Sequence, residues 1–150
     1  MSKRSQNTLR KNRRVFLVDE NLGSAKLPQM LRKAGYQIVT HKTKYKGKQG
    51  IPDPPIIADC GSDNLILLTA DGALETLWAA EIQQARIAVV ILSNNKDGSA
   101  VWGARLSAGK QDILARLQQY TKPCALRFGV NAKVTCVRLY GPRRAKLITL

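Results

Sequence analysis

With 150 residues the chain can bury the core of one ordinary domain, and its 44% hydrophobic content excludes global disorder. Its 25 lysines and arginines face only 10 acids, a formal net charge of +15 that opposes compactness and calls for a polyanionic partner. Nucleic acid is the first such partner, ahead of an anionic membrane surface or an acidic protein.

Residues 1–14 carry six basic side chains and no acid, and are expected to form a mobile basic segment ahead of the fold. Val15–Val18 (VFLV) is wholly apolar, the pattern of a strand buried on both faces. Ser24 is placed to cap a helix over Ala25–Ala34, with Leu27, Met30 and Leu31 at helical spacing and Gly35 as its stop. Tyr36–Thr40 reads as a second strand, and the segment His41–Pro55, rich in Lys, Gly and Pro, as irregular. Asp53 is expected to cap a short helix running from Pro54 to Cys60. Asn64–Thr69 (NLILLT) is a third buried strand, followed by a helix from Gly72 to Ala85. Ile87–Leu92 is a fourth strand, and Ser107–Tyr120 a long helix. Three short strands, at Ala125–Val130, Lys133–Tyr140 and Lys146–Leu150, close the chain around turns at Gly129-Val130-Asn131 and Gly141-Pro142.

Alternation of this kind predicts an α/β fold, three layers of α/β/α around a mainly parallel sheet, with a short C-terminal β-hairpin extension. Residues 15–122 would form the main domain and 123–150 a basic β extension packed on it. Cys60, Cys124 and Cys136 are odd in number and lack metal-ligand spacing, so reduced thiols in a cytoplasmic protein are expected. The opening MSKRSQNTLRKNRR has no apolar run of the signal-peptide kind, and no stretch approaches the roughly 18 apolar residues of a membrane span.

In an open parallel sheet, sites form at the carboxyl ends of the strands. Asp19 and Glu20 directly follow the first strand, Asp71 follows the third by two residues, and Asp53 opens the helix between the second and third. The fold brings the three aspartates to one edge. Clustered carboxylates on a basic protein suit a hard cation, Mg²⁺ or Mn²⁺, that bridges to substrate phosphate. Each aspartate is also a good helix cap, which explains it singly without explaining the basic surroundings. Just before Asp53, Lys42, Lys44, Lys46 and Lys48 alternate around Tyr45: lysines pair with phosphates and an exposed tyrosine stacks on an unpaired base. Arg143 and Arg144 are further candidates for RNA contact. His41, the single histidine, reads as a solvated loop residue, and Trp78 as a core-facing one, while Trp102 has no assignment.

VFLVDENL, the helix closing in RKAGYQIVTH, and PDPPIIADCGSDNLILLTADGAL together resemble the PIN-like domains of bacterial toxins and their solitary relatives. Those families show a strand ending in D-E-N, a helix closed by A-G-hydrophobic, an Asp leading an I-x-x-A helix, and a strand ending in T-x-D. The resemblance covers residues 15–75 well, 76–120 only in architecture, and 121–150 hardly at all. It implies a metal-dependent endoribonuclease, a toxin of a toxin–antitoxin pair, using Mg²⁺ or Mn²⁺. Asp19, Asp53 and Asp71 would be the catalytic, metal-binding acids, Glu20 a further ligand and Thr69 a supporting residue. A metal-activated water would attack the phosphodiester and leave a 5′-phosphate. RNA, a small acidic antitoxin and a second copy of the chain are the implied partners. The family pattern D-x-D-F becomes Asp71-Gly72-Ala73-Leu74 here, so the second acid of that pair is absent; Glu75, one helical turn on, either takes its place or caps its helix.

Two alternatives compete. A catalytically inactive nucleic-acid-binding module of the same fold would account for the absent acid and the basic tail. The segment VFLVDENLGSAKLPQMLRKAGYQIV also resembles the start of a response-regulator receiver, with Lys122-Pro123 matching its late Lys-Pro. Against the receiver stand the high positive charge and the basic loop with its extra Asp53.

Overall fold

A computed structural model describes residues 14–93, 96–137, 139–140 and 147–148. Five short strands, mostly apolar, pair in one sheet: β1 (Val15–Val18), β2 (Gln37–Thr40), β3 (Leu65–Thr69), β4 (Ala88–Leu92) and β5 (Cys124–Phe128). All their pairings are parallel, and β6 (Val134–Val137) adds an antiparallel edge, giving the order β2-β1-β3-β4-β5-β6. The sheet thus takes in strands on both sides of residue 122.

Every residue of β1, β3 and β4 is buried, because helices cover both faces. Alternate side chains feed two cores. Phe16, Val18, Leu68, Val90 and Leu126 point to one face, beneath α1 (Lys26–Lys33), α6 (Ser99–Ala108) and α7 (Lys110–Gln119). Leu17, Leu67, Val89, Ile91 and Ala125 point to the other, beneath α3 (Asp53–Asp63), α4 (Leu74–Leu77) and α5 (Ala79–Ala85). The architecture is the expected three-layer α/β/α. The expected C-terminal antiparallel extension is present too, as the β5–β6 hairpin and a separate ladder of β7 (Leu139–Tyr140) with β8 (Leu147–Ile148). Lys133–Tyr140, expected as one strand, is divided between the two sheets.

Other expectations are corrected. Helix α1 starts at Lys26 with Ala25, not Ser24, at its cap position and no side-chain cap. His41–Lys44 is a helical turn, α2, capped by the Thr40 hydroxyl, which accepts the Thr43 N–H at 3.1 Å. Pro52 takes the cap position of α3, so Asp53 is its first helical residue and does not cap it. The helix expected over 72–85 breaks at Trp78 into α4 and α5. Helix α6 has no counterpart among the expected elements; it buries Trp102 in the core.

The chain winds outward from β1 to β2, then crosses to the other side of β1 to form β3. The winding therefore reverses between β1 and β3, where a crevice opens at the carboxyl ends of the strands. Asp19 leaves β1 there and Thr69-Ala70-Asp71 leave β3. Among the described residues no helix is long and apolar enough to cross a membrane.

Candidate active site

Parallel register sets Val18 beside Leu68, and the Asp19 N–H continues the ladder to the Leu68 carbonyl at 2.9 Å. The next side chains, Asp19 and Thr69, consequently meet. The Thr69 hydroxyl, with no exposure, donates to Asp19 Oδ2 at 2.7 Å, and the Glu20 N–H donates to Oδ1 at 2.8 Å. Thr69 Oγ1 also accepts the Asp71 N–H at 3.1 Å and the Asn21 amide at 3.4 Å, while Asn21 Oδ1 accepts the Ala70 N–H at 3.4 Å. One buried hydroxyl thus joins the D-E-N turn after β1 to the T-A-D turn after β3.

Asp19 is itself buried, 8% exposed. Burial lifts its carboxyl above the ordinary range; the bonds from Thr69 and Glu20 pull it back, and the charge of Asp53 pushes it up again. Asp53, half-buried, is therefore close enough for its charge to act on Asp19. Trp78, expected to face the core, does rest partly on it, and its indole N–H donates to Asp53 Oδ2 at 3.0 Å. Asp71 turns one oxygen back to the Ala73 N–H at 3.0 Å.

A family model described as a PIN-like domain matches residues 14–94, more than half of the chain. The chain belongs to the PIN-like domain family. Its fold is of the nuclease type, and the receiver-like alternative falls away. Searches of curated proteins and of solved structures returned no match.

For a PIN-like chain the acids are the first concern. Among the described residues no group of three or more His, Cys, Asp or Glu side chains is arranged to hold a metal ion. No all-protein cage is therefore formed among them. Mg²⁺, however, commonly uses only one or two carboxylates, with water and substrate phosphate completing its shell. Asp19 and Asp53, whose charge is felt by Asp19 at the crevice, fit that lesser requirement.

Glu75, in line to replace the absent second acid, is buried and paired with Arg127 of β5. Arg127 also donates to the Gly72 carbonyl at 3.3 Å, so the pair clamps the turn after Asp71 to the sheet. Nothing in the local sequence signals this pairing, which spans 52 positions. Burial pushes the thiols of Cys60 and Cys124 up to about 12 and 11, which removes them as nucleophiles at neutral pH.

The basic loop is more ordered than a solvated segment. Lys44 pairs with Asp63, the Tyr45 hydroxyl donates to Asp59 Oδ2 at 2.8 Å, and the Tyr45 ring packs on the core. These two side chains, expected to meet RNA, fasten the loop to α3, while Lys42, Lys46 and Lys48 are exposed. His41, expected in solvent, is only 4% exposed and lies 3.6 Å from Glu20. Burial of the ring follows from its place at the start of α2, against Tyr45 at a centroid separation of 4.8 Å. Arg143 and Arg144 lie outside the described residues.

Proposed function

We propose that this PIN-like protein is a Mg²⁺- or Mn²⁺-dependent endoribonuclease with Asp19, Asp53 and Asp71 as its catalytic acids. The observation that carries this reading is the Asp19 carboxylate. It is buried at the switch point of the sheet, fixed through both oxygens, and raised in part by Asp53. A structural cap has no need of a second unneutralised carboxylate nearby, whereas a cation site does.

Asp19 and Asp53 would hold the metal, with Asp71 and Glu20 at the same edge. When bound, the ion supplies a hydroxide-like water and offsets charge on the scissile phosphate. The chain's own residues do the positioning. Thr69 holds Asp19 in one orientation and ties Asp71 to it through the backbone. Trp78 fixes Asp53, and the Glu75–Arg127 pair anchors the turn that carries Asp71. Exposed Lys42, Lys46 and Lys48 supply positive charge for the RNA backbone. A small acidic antitoxin would suit the same +15 surface, and the toxin reading rests on that complementarity.

The test is cleavage of a mixed RNA pool in Mg²⁺ or Mn²⁺ by the native chain, Asp19→Asn and Asp71→Asn. The expected result is metal-dependent cleavage giving 5′-phosphate ends, lost in both variants. Native protein that binds RNA and never cuts it would refute the assignment. A second reading, an RNA-binding module without activity, is favoured by one observation: Glu75 is committed to Arg127, so the absent acid has no free substitute there.

A further inference from the structure

We propose that the cavity beside the acids, walled by His41, Lys42 and Lys48, is a phosphate subsite that seats the RNA backbone next to the bond that is cut. This rests on the RNA-hydrolase reading above and assigns it a specific contact.

The cavity measures about 270 Å³ and lies between the turn at Glu20 and Gly23 and the basic loop at Gly47 and Lys48. That is near the lower end of the range for ligand sites, ~300–1,000 Å³, so it suits a single small group rather than a large cofactor. Glu20 is the residue after Asp19, which places the cavity directly beside the acid crevice.

Three features select a phosphate. First, the loop is folded so that Lys42 and Lys48 share one rim. The Gly47 N–H donates to the Lys42 carbonyl and the Lys48 N–H to the Tyr45 carbonyl, at 2.9 and 3.0 Å. Lys46 and Gly47 both take positive φ to make this turn, and Lys44 and Tyr45 tie its base to α3. Second, His41 lines the cavity and is nine-tenths buried or more, its Nε2 closed from solvent and 3.6 Å from Glu20 Oε2, so the ring is a fixed wall that keeps the acid turned toward it. Third, the opposing charge is limited. Glu20 is the one acid on the wall; its carboxylate already accepts the Gly50 N–H at 3.3 Å and faces His41. Two lysines outweigh it.

His41 is the only histidine, so its imidazole carbon-bound protons give one unambiguous NMR signal set. The experiment titrates the full chain, at one fixed pH, with inorganic phosphate, uridine 5′-monophosphate and a uridine hexamer. Hexamer affinity is measured in parallel as a function of salt. The compared variants are Lys42→Gln/Lys48→Gln and a control, Lys33→Gln/Lys133→Gln, which removes the same charge from exposed positions away from the cavity. The hexamer is expected to shift the His41 signals saturably. The cavity variant should lose about tenfold or more in affinity, with its salt slope shallower by about 1.4 for two lost contacts. The control should lose markedly less.

Equal losses in the two variants, or His41 signals that do not move while RNA binds and is cut, would overturn the subsite and leave the nuclease reading intact. If phosphate or the mononucleotide moves the His41 signals but the hexamer neither binds nor is cut, the RNA assignment is overturned and a small-phosphate site remains.

Discussion

The Thr69 hydroxyl donates to Asp19 and accepts the Asp71 N–H, so Thr69→Val would leave a carboxylate oxygen and a backbone donor unsatisfied together. Stranding such groups costs roughly 1–3 kcal/mol, and loss of an outer-shell partner typically lowers activity by ~10–100-fold. Chemical denaturation and RNA cleavage should both register the change; a variant with native stability and native rate would refute the role. Asp19 makes a prediction about pH. Its folded pKa lies above the unfolded value, so the native state binds the proton more tightly, and stability falls as pH rises from the unfolded value through the raised one. Above that window the charged, buried carboxylate is a constant cost. Asp19→Asn removes the titrating group, so the stability of the variant should stay flat across the window in which that of the native protein falls. Thermal melts across pH test this. Mn²⁺ should raise the melting temperature of the native chain but not of Asp19→Asn, since only a state that binds the ion is stabilised by it.

At the scale of elements, α3 and α5 approach so closely that Gly61 has no room for a side chain. A Cβ there would sit 2.7 Å from the Ala85 carbonyl oxygen, a backbone atom that cannot swing aside. Gly61→Ala should destabilise the fold by about 1–2 kcal/mol, the overpacking cost less the gain in helix propensity. A denaturation midpoint at or above the native one would contradict this. The strands were legible in the sequence because burial on both faces leaves almost only apolar residues, as in VFLV and in LILLT, where Thr69 alone is polar. Helix α6 was not: SAVWGARLSA carries Gly103 and Ser107 in its interior, and its apolar stripe is short. The turn of α2 was hidden for a similar reason, since three of its four residues are basic or histidine and its cap is the last residue of a strand.

For the whole molecule, the charge of +15 predicts RNA affinity that falls steeply with salt. Each phosphate contact on a single strand contributes about −0.7 to the slope of log affinity against log salt. Three or more lysine contacts should give a slope steeper than about −2, measured by fluorescence anisotropy over a salt series. A flat profile would remove RNA as the partner. The acids at the carboxyl edge followed from strand order and from the D-E-N and T-x-D segments, which place Asp19, Thr69 and Asp71 by local position alone. The partners of Asp53 and Glu75 did not, because Trp78 and Arg127 reach them across the fold from 25 and 52 residues away. Burial of His41 is not legible in the sequence, because a lysine-rich neighbourhood masks a ring that turns inward.

The most direct measurement is single-turnover cleavage of one RNA oligomer by saturating protein in Mn²⁺, comparing native chain with Asp19→Asn, with oligomer affinity determined on the same samples. The acid edge as a hydrolytic site predicts a fall in cleavage beyond the ~100-fold upper end for outer-shell changes, at nearly unchanged affinity. Equal cleavage by both proteins, or binding by both with cleavage by neither, would contradict it.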